Sequence, residues 1–264
     1  MDGPAQRAAT AEPRLAIDSV GLTYATSRGP LEALRSVTLS VSPGEFVAVL
    51  GPSGCGKSSL LRLVSGLQTP TTGRLAIDGR TIAGPRRDVG IAFQQPTLLP
   101  WKNVIENVLV PIRAMGGDVG AARERARALL AIVGLEAFAR HYPHELSGGM
   151  QSRVGIARAL VHEPVVLLMD EPFAALDAMT REAMMEEIQR IWQETRTSVL
   201  FITHSIPEAV FLADRVIVLS ERPGRVIEDV MVDLPRPRRV ETMQEQGFVR
   251  LTGHLRGLFR REGR

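Results

Sequence analysis

Nine consecutive residues, Gly51, Pro52, Ser53, Gly54, Cys55, Gly56, Lys57, Ser58 and Ser59, are suited to hold an anion. Glycines at 51, 54 and 56 let the backbone curl with its N–H groups inward and approach phosphates without intervening Cβ atoms. Lys57 supplies charge, the Ser58 hydroxyl suits a Mg2+ ion accompanying the phosphates, and Ser59 adds a phosphate hydrogen bond. Only Lys57 and Lys102 among the 32 cationic residues are lysine. A chain that otherwise uses arginine keeps lysine where a compact ammonium must reach between phosphates and a planar fork would clash. The apolar run Phe46 to Leu50 precedes the loop and a helical pattern from Lys57 to about Gly66 follows it. That is the strand, loop and helix order a phosphate cradle requires, and a chance glycine-rich turn has no reason to adopt it.

A second anion site is encoded by Leu146, Ser147, Gly148, Gly149 and Met150, a turn opening the helical stretch SRVGIARAL. Free N–H groups and the positive end of the helix dipole suit a phosphate there. Each string occurs once. The simplest use of both is a dimer in which each nucleotide lies between the cradle of one subunit and the turn of the other.

Three polar residues end apolar strand patterns. Asp170 closes VVLLM and emerges at the carboxyl edge, where open α/β sheets bind ligands, as a partner of Mg2+ through water. Glu171 beside it points elsewhere; without the cradle upstream, such an acidic pair reads as an ordinary ion-pair site. Gln94 follows VGIAF, where a neutral amide can contact both Mg2+ and water, and FQ order favours it over Gln95. His204 closes SVLFIT, a position where a lone histidine is ordinarily a loop residue. His141 and His144 lie three apart without companion ligands, which argues against a transition-metal site.

The elements that must position these groups follow from periodicity. Arg14 to Tyr24 and Leu31 to Val41 predict a hairpin, and Gly73 to Gly79 a short strand ending in an Asp-Gly turn. Val104 to Met115, Val119 to Val133 and Ser147 to Val161 predict helices of an inserted lobe. Strands at Val165 to Met169, Ser198 to Ile202 and Arg215 to Leu219 alternate with helices at Ala178 to Glu194 and Ile206 to Ala213. Alternation of this kind implies a mostly parallel sheet covered on both faces. The expected fold class is α/β, and with the glycine loop it resembles a P-loop NTPase (RecA-like) mixed sheet core with an N-terminal antiparallel β part and an inserted α-helical subdomain. The expected organisation is a flexible N-terminus (1–13), a domain built around the cradle (14–233; core 14–93 and 164–233, helical subdomain 94–163), then a linker and C-terminal amphipathic helix (234–264). That helix, Glu241 to Arg261, carries Phe248, Leu251, Leu255, Leu258 and Phe259 on one face, for packing on its own domain or for a membrane-surface or regulatory contact.

Composition bounds the partners. With 264 residues and 44% hydrophobic content the chain has a real core, and no apolar stretch reaches the roughly 20 residues of a spanning helix. The N-terminus has no apolar signal core, so a soluble cytoplasmic protein is expected. The net charge of +3 is dispersed and aromatics are only 5%, so no stacking platform for nucleic acid is present. The single cysteine, Cys55, excludes an internal disulfide.

These strings together resemble the ATP-binding-cassette ATPases over roughly residues 14 to 233. The resemblance implies ATP and Mg2+ as cofactors, with Tyr24 stacking on adenine and Glu171 acting as the base that polarises the attacking water. It identifies Gln94 as the Q-loop glutamine, and His204 as the switch histidine that contacts the γ-phosphate and holds the water with Glu171. Ser147, Gly148 and Gly149 would complete the partner's site, and Ala174, Ala175, Leu176 and Asp177 would form the D-loop across the dimer seam. Met150 and Ser152 depart from commoner glutamines, and Ala174 from a frequent serine or glycine, which implies a rate effect at most for the first two. Cys55 in the cradle implies that bulky alkylation blocks the nucleotide and that ATP protects.

A P-loop kinase or GTPase would lack LSGG and need its own acceptor or guanine motif; a cassette without transport would carry long coiled coils or two cassettes. LLPWKNVIENV, EPFAALDAMTRE, THSIPEAVFLADRVIVL and RPGRVIEDVMVDLPRPR resemble the importer branch for nitrate, sulfonate, taurine and related compounds. That branch implies a homodimer on the cytoplasmic side of the bacterial inner membrane, a pair of integral-membrane permease subunits, and an extracytoplasmic solute-binding protein that selects the cargo. Leu98, Leu99 and Trp101 would dock a permease helix, or alternatively pack against the lobe.

Overall fold

The computed structural model describes residues 12–174 and 176–262, so the expectations for residues 1–11 and for Ala175 lie outside the described residues. The chain opens with the hairpin β1 (Leu15–Thr26) and β2 (Gly29–Val41), then β3 (Phe46–Leu50), the glycine loop and α1 (Lys57–Val64). β4 (Thr72–Ile77), β5 (Arg80–Thr81) and β6 (Val89–Ala92) follow, then a helical lobe of α2 (Val104–Val108), α3 (Val110–Ala114), α4 (Val119–Ile132) and α5 (Gly148–Leu160). The chain returns through β7 (Val166–Asp170), α6 (Ala178–Thr195), β8 (Ser198–Thr203), α7 (Ile206–Leu212), β9 (Arg215–Leu219) and β10 (Val226–Met231) to α8 (Gln246–Glu262).

Two sheets result. β2-β1-β4-β5 is antiparallel, and β10-β9-β3-β8-β7-β6 is parallel except for β10 at its edge. The inner strands lack polar alternation because both faces are covered, as successive side chains point to opposite sides. Phe46, Ala48 and Leu50 join Met169, Phe201 and Val218 in a core beneath the helices, whereas Val47 and Val49 join Leu168, Ile202 and Leu219 in a second core. α1 and the inward residues Leu15, Ile17, Val20 and Leu22 of β1 close that second core. The β1 register shifts between Ile17 and Val20, where Ser19 takes φ +50°, which returns the apolar face inward beyond Asp18.

The predicted helix over 104–115 is broken at Leu109, because Pro111 has no N–H to offer the Asn107 carbonyl. β5 and β10 were not anticipated, and α8 starts at Gln246 after a separate 3-10 turn, Val240–Gln244. Glu186 of α6 fixes that turn from outside by accepting the Val240 N–H at 3.0 Å, and Thr242 within it accepts the Arg239 N–H at 3.1 Å. α8 lays Phe248, Thr252 and Leu255 into the protein, with Leu251, Leu258 and Phe259 half-buried beside them.

Within residues 234–239, expected as a linker, Arg236 and Arg238 turn into the domain while Pro235, Pro237 and Arg239 stay exposed. Arg238 is 1% exposed and caps the carboxyl end of α7, its Nη1 donating to the carbonyls of Val210, Phe211 and Ala213 at 2.9, 3.0 and 2.7 Å. Its Nη2 reaches the carbonyls of Val232 and Leu234, and Gln189 brackets its backbone with a bond to each side. Burial pushes its pKa down to about 10, yet the helix-end carbonyls keep it a donor. Arg236 pairs with Asp214 at 2.8 Å and lies 4.4 Å over the Trp192 ring. Removing Arg238 strands several buried carbonyls at once. Arg238→Met is expected to lower the unfolding free energy by at least about 3 kcal/mol, read as a lower urea midpoint at an unchanged m-value. A shift under about 1 kcal/mol would mean those carbonyls find water instead.

Candidate functional site

The sheet register gathers the site. Leu50 of β3 pairs with Thr203 of β8, and Asp170 of β7 pairs with Ile202 of β8. Gly51, Glu171 and His204, which follow those strands, therefore emerge side by side at one carboxyl edge.

The glycine loop adopts its curl through positive φ at Gly54 (+78°) and Gly56 (+108°). At Gly56 a Cβ would lie 2.7 Å from both the Ala33 carbonyl and Leu34, so no other residue fits. Lys57 is buried, its Nζ donating to the carbonyls of Gly51 and Pro52 at 2.8 and 3.0 Å, and 3.6 Å from Glu171 Oε1. The ammonium thus spans the loop mouth with its charge only partly compensated. Tyr24 lines the same cleft and donates its hydroxyl to Ser59 Oγ at 3.1 Å. Ser53, Gly54, Gly56, Ser58, Ser59 and Glu171 complete the walls of a space of about 260 Å3.

Glu171 takes φ +44°, a left-handed conformation that costs a non-glycine residue roughly 1–3 kcal/mol. The turn is held by Glu171 N–H to the Ile202 carbonyl, 2.9 Å, and Ala174 N–H to the Glu171 carbonyl, 3.1 Å. It aims the carboxylate back at Lys57 on one side and at His204 Nδ1, 3.0 Å from Oε2, on the other. Asp170 stays in line with the strand and is half-buried; burial first, then the Glu171 charge, raises its carboxyl above the ordinary range, against Lys57 and Arg62. A divalent cation would reverse that shift. A carboxylate and the Ser58 hydroxyl beside a phosphate cradle are a donor set of the kind Mg2+ uses, which relies on phosphates for its remaining ligands.

Not every predicted group reaches this cleft. Gln94 lies two residues beyond β6 and is solvent-exposed, and it is not among the cleft-lining residues. Ser147 caps α5 by accepting the Met150 N–H at 3.3 Å; Ser147 and Gly148 are exposed, and none of Ser147, Gly148 and Gly149 lines the cleft. Ser152 donates to the Gly148 carbonyl at 3.1 Å, and Asp177 caps α6 through Thr180. Cys55 requires a correction. Its side chain is 1% exposed and points beneath the loop, where its Sγ would lie 2.7 Å from a Cβ on Gly51, and burial pushes its thiol up. Only its backbone is available to a nucleotide.

Sequence reasoning missed Arg222, which reaches over the loop from beyond β9 with Nε donating to the Gly54 carbonyl at 3.0 Å and lines the cleft. An exposed arginine 168 residues away carries no local signal of this. At the lobe, the fully buried Asn107 binds the carbonyls of Leu99, Lys102 and Asn103 at 3.1, 2.9 and 3.0 Å and accepts the Leu99 N–H. It thereby braces a loop on which Leu98 packs against the lobe while Trp101 stays 71% exposed.

The ABC transporter family profile matches residues 34–174. The chain is 48% identical over 223 residues to the taurine import ATP-binding protein TauB of Burkholderia pseudomallei, spanning 84% of this chain and 86% of that protein. It is 46% identical over 234 residues to the nitrate import ATP-binding protein NrtD of Synechococcus elongatus, spanning 88% and 85%. Among solved structures, the dimeric post-hydrolysis state of the ATP-binding cassette MJ0796 bound to ADP and Pi matches with a TM-score of 0.72 at 34% identity, covering 84% of this chain and 100% of that one. With a phosphate cradle, an acidic strand end and a glycine turn arranged on this fold, the chain belongs to the ABC transporter family and is one of its ATP-hydrolysing cassettes.

Proposed function

We propose that this cassette powers uptake of a small anion such as taurine, another sulfonate or nitrate, with two copies closing on two Mg-ATP. The observation that carries the catalytic reading is the convergence of Lys57, Glu171 and His204 at 3.6 and 3.0 Å on one sheet edge. Glu171 takes the proton of the attacking water, and His204, hydrogen-bonded to it, orients the carboxylate and contacts the γ-phosphate. Lys57 exchanges its bonds to the loop carbonyls for phosphate oxygens, which neutralise it better. Backbone N–H groups of the Gly51–Ser59 loop surround the phosphates, and the Tyr24 ring supports the base. Ser58 and Asp170, with Gln94 after closure of the lobe, would hold Mg2+, which would supply charge neutralisation for the phosphates.

The turn Ser147–Gly149, exposed at Ser147 and Gly148, lies outside the chain's own cleft, which favours its use on the nucleotide of a second copy; the MJ0796 cassette is dimeric in its ADP- and Pi-bound state. Trp101 and the exposed Phe93 favour the lobe edge as the contact for an integral-membrane permease pair. An extracytoplasmic solute-binding protein would select the cargo and the cassette would lie peripherally on the cytoplasmic side of the inner membrane. The names of the relatives favour taurine or nitrate as cargo class.

Glu171→Gln is expected to lower kcat about 10²- to 10⁴-fold while ATP binding persists, and to sediment as a dimer with Mg-ATP. A strictly monomeric, fully active wild-type enzyme would rule out the shared site. Lys57→Ala is expected to weaken ATP binding about 10- to 150-fold, from loss of charge-assisted bonds of roughly 1.5–3 kcal/mol.

Because the Cys55 thiol is buried and its pKa raised, N-ethylmaleimide at pH 7 is expected to modify the native protein at least about tenfold more slowly than the unfolded chain, with little effect of ATP. Rapid alkylation that ATP suppresses would instead put the thiol inside the cradle.

A deletion strain is expected to lose growth on taurine or another sulfonate as sole sulfur source, or on low nitrate as sole nitrogen source. The wild-type gene restores it and Glu171→Gln does not. Unchanged uptake of both classes, with no redundant transporter, removes the cargo assignment and leaves the ATPase intact.

A further inference from the structure

Beneath His204 runs a chain of polar contacts that the hydrolytic reading has not used. The sequence Ser205, Ile206, Pro207, Glu208 has the spacing of a capping box, in which the glutamate would turn back to the Ser205 N–H. It does not. The Ser205 N–H is taken by Thr203 Oγ1 at 3.0 Å, and the Thr203 hydroxyl donates to Glu208 Oε2 at 2.6 Å. His204 is therefore clasped between two residues bonded to each other. The diverted Glu208 carboxylate, 6% exposed, turns its other oxygen toward Arg181 Nε, 3.6 Å away on α6. Arg181 in turn donates Nη2 to the Leu176 carbonyl at 2.7 Å, one residue before the α6 cap Asp177.

The contacts run from the Leu176 carbonyl to the residues flanking the histidine without a break. They border a space of about 360 Å3 whose walls also carry Glu171, Ala174 and His204. Burial raises the Glu208 carboxyl, against the Thr203 bond and the Arg181 charge, so this carboxylate sits where an unpaired charge is costly. Folding alone offers a simpler solution, the ordinary capping box, which leaves no buried carboxylate to compensate. The arrangement found spends that carboxylate on joining two loops.

We propose that Arg181 and Glu208 are positioning residues for hydrolysis, forming a strut that makes the placement of His204 depend on the backbone of Leu176 and Asp177. This rests on the reading of His204 and Glu171 as the hydrolytic pair and of residues 174–177 as a seam segment. When a second subunit presses on that segment, the Leu176 carbonyl moves Arg181, Glu208 follows, and the Thr203 hydroxyl resets the histidine loop. Neither Arg181 nor Glu208 lines the nucleotide cleft, so ATP affinity is not their concern.

The test is a double-mutant cycle on steady-state ATP hydrolysis with full-length protein. Glu208→Gln keeps the shape and the Thr203 bond but loses the ion pair; Arg181→Met keeps the stem and loses both contacts. Each is expected to lower kcat about tenfold with KM for ATP within about twofold, and the double variant to be no slower than either single. Arg181→Lys is expected not to rescue, since one ammonium cannot serve both acceptors. Multiplicative losses in the double variant, unchanged kcat in the singles, or a change confined to KM would each overturn the strut. Should Glu208→Gln fail to fold, Thr203→Val replaces it in the cycle with the same expectation. His204→Ala run alongside separates the two readings. Full activity in that variant defeats the hydrolytic pair itself, whereas its inactivity with multiplicative losses at 181 and 208 defeats only the strut.

Discussion

A mostly parallel sheet with helices on one face and α1 with a second sheet on the other can meet solvent only at its ends, and this constraint organises the protein. β3, β7, β8 and β9 are apolar on both faces because both are covered, with odd residues of β3 in one core and even residues in the other. Polar chemistry is thereby confined to the carboxyl ends of the strands and the residues that follow them. The register then decides which groups meet: Leu50 opposite Thr203 and Asp170 opposite Ile202 bring the glycine loop, Glu171 and His204 together from positions far apart in the chain. Catalytic geometry here follows from strand pairing.

At that edge the backbone is held in conformations it would not choose. Gly56 sits at φ +108° against the Ala33 carbonyl, and Glu171 at φ +44° without a glycine's freedom. The Glu171 turn persists because two hydrogen bonds to neighbouring backbone fix it, and its effect is to send adjacent carboxylates in different directions. Asp170 continues the strand into a half-buried position with a raised pKa, while Glu171 faces a lysine and a histidine. Two like charges in sequence thus acquire distinct environments, which is what separate roles at one site require.

The tail shows how the scaffold behind the site is kept rigid. Arg238 and Arg236 fill the carboxyl end of α7 and the face of Trp192, so α7, whose first turn follows His204, is held at its far end by the chain beyond β10. Arginine suits this because a planar fork can satisfy several carbonyls at once and remains charged in a dry setting. A preference that reads in the composition as a bias toward arginine is here a means of closing helix ends.

Much of this was legible in the residues. Glycine spacing determined the cradle, because only certain dihedrals bring successive N–H groups to one point. Unbroken apolar strands determined a sheet covered on both sides, because period-two geometry leaves no face for water. The turn at Ser147 to Gly149 marked a helix start, since its free N–H groups open the stretch that follows. All of these are encoded within a few neighbouring residues. What only the tertiary structure decided depends on where the chain returns. The Cys55 thiol points away from the cradle its own backbone helps form, Arg222 covers a loop 168 residues before it, and Arg238 is buried within a stretch where proline and arginine suggested a linker. Glu208 has the spacing of a helix cap yet bonds elsewhere, because Thr203 occupies the N–H first. Side-chain direction and long-range pairing are settled by competition among partners brought close only after folding, and no local pattern records which partner wins.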